Sequence, residues 1–151
     1  MEFIKKISNE KINTSDYEKL GFAVACMLMN RNYSLYHIKI LQQWTQKAIS
    51  HNQFKVFFNN TNHPIGYMTW AFLREDTLSR LSQDPLFLLH DSEWDEGGTL
   101  CIMDFCCKPG SAIYCINDLK KLPPINTAKK VVWRSRKTGK ILCKDNTRMH
   151  G

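Results

Sequence analysis

Residues 99–107, Thr-Leu-Cys-Ile-Met-Asp-Phe-Cys-Cys, constrain this chain more than any other stretch. The run is apolar and of strand length, and turn-forming residues bound it: Gly97-Gly98 before it and Pro109-Gly110-Ser111 after it. Continuous apolar character over that length suits a central strand, buried rather than half-solvated. Such a strand needs partners on either side, so the rest of the chain must provide them. One residue is out of place. Asp104 interrupts the run, and a carboxylate in a buried strand is costly unless it is paired. It is therefore either a catalytic group or a strand-end Asp that bonds loop amides.

The flanking segments supply the partners. Asn13-Thr14-Ser15-Asp16 offers N-caps for a helix to about Asn30, with an apolar stripe at Leu20, Val24, Met27 and Leu28. Asn30-Arg31-Asn32 ends it, and a second helix is predicted over Tyr36 to Ser50, with Ile40, Leu41, Trp44 and Ile49 on one face. The period then changes to two. Phe54–Phe58 and Ile65–Leu73 read as a hairpin around the turn-rich segment 59–64. Glu75–Ser82 reads as a helix stopped by Pro85, and the acidic stretch to Gly98 as a loop. After the central strand, Ala112–Lys121 reads as a helix broken by Pro123-Pro124. Val131–Arg134 and Lys140–Cys143 form a hairpin around Lys137-Thr138-Gly139. The order ααββαβαββ places the chain in the α+β or α/β class, as a single domain over residues 1–151 with a loose tail after about 145.

Charge separates the chain into regions. From Lys108 onward there are eleven Lys/Arg against Asp118 and Asp145, whereas 84–98 holds five acids and no base. The basic third suits either an anionic partner, such as an acidic carrier protein, a phosphate or nucleic acid, or a solvated face. Nucleic acid is disfavoured, because no helix-turn-helix or RNP-like motif is present. The first ten residues lack an apolar core, and no apolar run approaches the roughly 20 residues of a membrane span, so a cytoplasmic protein is expected. The six cysteines show no CxxC spacing, so no metal site is expected and the thiols are expected to be free and packed as small hydrophobes. Cys106 or Cys107 is a minor candidate nucleophile.

Three blocks carry a resemblance. His63-Pro64-Ile65-Gly66-Tyr67-Met68-Thr69-Trp70-Ala71-Phe72-Leu73 is similar to a Pro-x-x-Tyr-x-[Ser/Thr]-Trp-Ala-x-Leu strand. Ile102-Met103-Asp104-Phe105-Cys106-Cys107-Lys108-Pro109-Gly110, preceded by Glu93-Trp94-Asp95-Glu96-Gly97-Gly98, is similar to an apolar-Asp-aromatic strand end after an acidic Trp/Gly loop. Ser34-Leu35-Tyr36-His37 is similar to a Ser-x-x-His motif. Together these resemble the RTX toxin-activating acyltransferases, over roughly Leu20 to Gly110. The resemblance implies a GNAT-like mixed central sheet flanked by helices. It also implies a catalytic His–Asp pair, here His37 and Asp104; a gapless alignment would instead set Tyr33 at the histidine position.

Histidine suits general-base work because its ordinary pKa of about 6.5 lies near working pH. A carboxylate beside it would hold the tautomer and stabilise imidazolium. His90, beside the acidic loop, is the reserve candidate; His51 and His63 sit in turns. Tyr67 and Trp70 are candidates for substrate contact or core, and Arg134 and Arg136, with Lys137, for anion binding. Typical members of the resembled family move a fatty acyl group from acyl carrier protein to a toxin lysine. This chain is shorter, lacks a Trp-rich first helix, and has its third block shifted. In these respects it looks like the small branch that matures siderophore microcins. That branch implies a microcin precursor, a partner subunit, a glucosylated catecholate siderophore, and ATP with Mg as a co-substrate, although no P-loop is present. A non-catalytic adaptor subunit or a basic nucleic-acid-binding module is the reading from another class.

Overall fold

The computed structural model describes residues 14–84, 86–135, 138 and 140–145. Arg136, Lys137, Pro85 and the tail after 145 lie outside them. One five-stranded sheet organises the chain, in the order β1-β2-β3-β4-β5. These strands are β1 Phe54–Phe58, β2 Pro64–Leu73, β3 Thr99–Cys107, β4 Lys130–Arg134 and β5 Ile141–Asp145. The apolar run does occupy the middle position. It pairs antiparallel with β2 and parallel with β4, and the β1–β2 and β4–β5 pairs are antiparallel. The sheet is therefore mixed, and the class is α+β as expected.

Helices cover both faces. On one face lie α1 (Thr14–Met29), a helical segment with a π-turn at Leu41–Thr45 that runs into α2 (Gln46–Ser50), and α3 (Glu75–Gln83). On the other face lies α4 (Ala112–Leu119), followed by the segment through Ile125 and Ala128. Among the described residues no helix is long and apolar enough to cross a membrane. The expected acidic loop contains a single 3-10 turn, Asp91–Glu93.

One element differs from expectation. The second helix begins at residue 39 rather than Tyr36, because residues 31–38 form a series of turns. The Asn30 side chain explains the break. Its Oδ1 accepts from the Asn32 and Tyr33 amides (3.0 and 3.3 Å), so α1 ends in an Asx-type turn instead of continuing. Its Nδ2 donates to Cys107 O at 2.9 Å, which ties this turn to the end of β3.

Alternation sorts the two faces. Met68, Trp70, Leu100, Cys107, Cys115, Leu119 and Val131 share one cluster, on the α4 face. Tyr67 and Cys106 pack with Ala23, Cys26, Met27 and Tyr33 of the α1 side. Ala71, Leu73, Cys101 and Val132 pack beside Ala48 and Trp94 on that same side. Gly98 makes the approach to β3 possible. A Cβ there would lie 2.1 Å from Leu73 O, so only glycine lets the two backbones come this close.

Candidate active site

The register of β2 against β3 determines where Asp104 points. Thr69 pairs with Asp104, but Trp70 pairs with Ile102, so Met103 is an extra residue in β3. In an unbroken strand, Leu100 and Ile102 facing α4 would put Asp104 on that face too, among Met68 and Trp70. The bulge cancels this. Met103 packs with the Ala71 cluster, Asp104 faces Tyr33, and Phe105 returns to the α4 side, where its ring stands 6.5 Å from Phe57. A one-residue insertion re-aims one carboxylate without moving the rest of the strand.

Asp104 is half-buried and meets hydroxyl groups. The Tyr33 hydroxyl reaches its Oδ1 at 3.2 Å and the neighbouring Phe105 carbonyl at 3.4 Å. Tyr67, beside it on β2, is pushed well above the ordinary phenol range, first by burial and then by the Asp104 charge. Tyr67 is thus a neutral phenol next to a carboxylate. The Thr69 hydroxyl, on the strand position paired with Asp104, is buried and has no hydrogen-bond partner. Thr45, from the π-turn, brings a second buried hydroxyl towards Tyr67, without a bond of good geometry. π-turns often mark functional sites, because they displace one helical residue from its regular place.

The sequence-predicted residues fall into three groups. Asp104 and Tyr67 share a face and a neighbourhood. Arg134 follows Trp133 at the end of β4; alternation puts it on the Val132 side, which is the Asp104 side, and it is exposed. Trp70 is buried on the opposite face, within the α4 cluster. His37 is exposed in the turns after α1. It lines an open groove of about 540 Å³ with Leu35, Tyr36, Lys39, Ile40 and Gln43. Tyr36 links this groove to the interior, since its ring lies 5.0 Å from that of Tyr33. Arg136 lies outside the described residues.

Among the described residues the other histidines have local partners. His63 Nδ1 bonds the Thr61 hydroxyl at 2.8 Å, His51 stacks on Trp94, and the His90 amide donates to Glu93 Oε1 as part of the 3-10 turn. Four of the cysteines make poor nucleophiles. Burial pushes the Cys26 and Cys101 thiols up to about 12, and pushes Cys107 and Cys115 up as well, so thiolate is scarce at neutral pH. Among the described residues no group of three or more His, Cys, Asp or Glu gathers to hold a metal.

Tyr33, Thr69 and Thr45 are the residues that composition and periodicity did not single out. Tyr33 was visible only as the gapless alternative to His37. Thr69 stood only as the [Ser/Thr] position of the strand motif, with no role attached, and Thr45 had no signal, because threonine in a strand or helix is ordinary.

Residues 12–143 match the RTX toxin acyltransferase family. An uncharacterised protein of Synechocystis sp., sll0720, is 26% identical over 110 residues, covering 72% of this chain and 74% of that protein. The crystal structure of Chaetomium thermophilum Naa20 in complex with a bisubstrate analogue is similar at a TM-score of 0.41 and 18% identity, covering 85% of this chain. This chain spans 62% of that protein's length.

Proposed function

Since the chain belongs to the RTX toxin acyltransferase family, it is an acyltransferase, and we propose that it matures a peptide microcin. In this reading the C-terminal serine carboxylate of the microcin is esterified to a sugar hydroxyl of a glucosylated catecholate siderophore. The new bond joins the carboxyl carbon to the sugar oxygen. The carboxylate oxygen that leaves must first be activated, and ATP is the reactant class that does so. The proton of the sugar hydroxyl passes to a base at the site. The reading also holds that a partner subunit completes the enzyme and that Arg134 and Arg136 meet anionic groups of the substrates.

The observation that carries the reading is Asp104, a carboxylate turned by a strand bulge out of an apolar layer and into a cluster of hydroxyls. A carboxylate so placed can organise proton transfer in a site of low dielectric. His37 is the imidazole at the groove that Tyr36 connects to this cluster, and is proposed to take the proton there.

The test is the intact mass of a candidate microcin precursor co-expressed with this protein and its neighbouring gene products. A gain equal to the glucosylated catecholate at the C-terminus is expected, and Asp104→Asn should abolish it with the fold intact. A fatty-acyl increment on a lysine would instead assign transfer from acyl carrier protein. Unchanged modification by Asp104→Asn would refute the role of Asp104.

A further inference from the structure

We propose that Tyr33 is the positioning residue of the transfer site, its phenol hydroxyl orienting the Asp104 carboxylate from within the protein; this rests on the reading of Asp104 given above. The contact joins residues 71 apart in sequence, so the tertiary fold makes it rather than local geometry. Tyr33 is only 2% exposed, whereas His37, four residues on, faces solvent.

Two aromatic rings pack against the Tyr33 ring. Tyr36 packs against it at 5.0 Å and Tyr67 at 6.3 Å, in tilted and edge-on arrangements. The backbone is held too. Asn30 accepts from the Tyr33 amide and donates to Cys107 O, so the same side chain anchors the turn and the end of β3. A phenol locked this way has one proton to give, and it lies within reach of Asp104 Oδ1 and Phe105 O. The carboxylate thereby loses rotational freedom about its own axis. The hydroxyl also supplies a donor that carries no charge of its own near neutral pH.

Other groups share this space. Tyr67 and Thr69 face Asp104 from β2, Cys106 lies two residues along β3, and Cys26 approaches from α1. Tyr33 places its hydroxyl on the carboxylate, at 3.2 Å from Asp104 Oδ1. A hydrogen bond to an ionised carboxylate favours the ionised form, so its removal raises the pH at which that group protonates.

The experiment is a carbon-13 NMR titration of side-chain carboxyls in the full chain, with Asp104→Asn used to assign the Asp104 signal. Tyr33→Phe, which removes one oxygen, is expected to raise the Asp104 midpoint by roughly one pH unit. Tyr33→His, which keeps an N–H donor on a ring and can carry a proton beside the carboxylate, is expected to return the midpoint to the wild-type value or below it. In the microcin mass assay, Tyr33→Phe should lower the modified fraction about tenfold, with partial return in Tyr33→His. An Asp104 midpoint unmoved by Tyr33→Phe overturns the proposal. So does full modification by Tyr33→Phe under conditions in which Asp104→Asn gives none. If Asp104→Asn itself modifies normally, the reading of Asp104 fails and the positioning role fails with it, whatever the titration shows.

Discussion

Thr69→Val should make this protein more stable. Thr69 is 1% exposed in the interior of β2, and its Oγ1 has no hydrogen-bond partner. A buried hydroxyl left unbonded costs about 1–3 kcal/mol relative to solvent. Valine keeps the β-branched shape, adds a methyl in place of the hydroxyl, and suits a strand. The neighbours therefore need not move, and the gain should be about 1–2 kcal/mol once small repacking costs are subtracted. For a domain of about 150 residues, each kcal/mol shifts Tm by roughly 2–4 °C, so a rise of roughly 2–8 °C is expected. Urea unfolding of both proteins at pH 7 gives the same quantity as a shift in midpoint at unchanged slope. A loss of about 1 kcal/mol or more would refute the reasoning, because it would mean that the hydroxyl is bonded, for instance to an ordered water. The same variant informs function. Thr69 pairs with Asp104 across the strands, so a more stable variant that modifies its substrate poorly would mean the hydroxyl is retained at the cost of stability.

Gly98→Ala should cost about 3 kcal/mol or more, read as lost soluble yield or a collapsed melting transition, because the added Cβ meets the Leu73 backbone at 2.1 Å. Arg80→Ala should cost about 1–3 kcal/mol by urea unfolding, since it removes the counter-charge bonded at 2.7 Å to the Glu93 carboxylate, which is 10% exposed. By contrast Lys47→Ala should leave stability unchanged within error, although Lys47 and Asp91 also stand 2.8 Å apart, because both are solvated. Stability should also fall in alkali. The Cys101 thiol rises from 9.0 in the unfolded chain to about 12 when folded, so its contribution is complete below pH 9 and lost as pH climbs towards 12. The slope is about 1.4 kcal/mol per pH unit for each such thiol, and urea unfolding of Cys101→Ala between pH 9 and 11 should be correspondingly flatter.

Much of the architecture is legible in the sequence. Hydrophobic period and turn residues located the β1–β2 hairpin, the central strand and the β4–β5 hairpin, because those signals are local and strong. The start of the second helix was not legible. Its cause is the Asn30 side chain, which bonds Cys107 O 77 residues away as well as the next turn, and no window around Tyr36 contains that partner.

The candidate site divides in the same way. The composition of β3 alone singled out Asp104, since a carboxylate within an apolar run needs a reason wherever the run is buried. The face it serves depended on the bulge at Met103. Period-two counting assigns Asp104 to the α4 side, and only the pairing of Thr69 with Asp104 and Trp70 with Ile102 reverses that assignment. The same pairing separates Tyr67 from Trp70, which the motif lists two positions apart on one strand. Tyr33 and His37 are both ring residues on one short stretch, and sequence spacing does not say which is turned inward. The anchoring of Asn30 to β3 decides it, burying Tyr33 over Asp104 and leaving His37 at the surface. The sequence by itself thus determined which strand is central and which carboxylate is anomalous, because burial preference is a property of each residue and its near neighbours. The direction of that carboxylate and the identity of its partner were decided by register between distant strands, which exists only once the chain is folded.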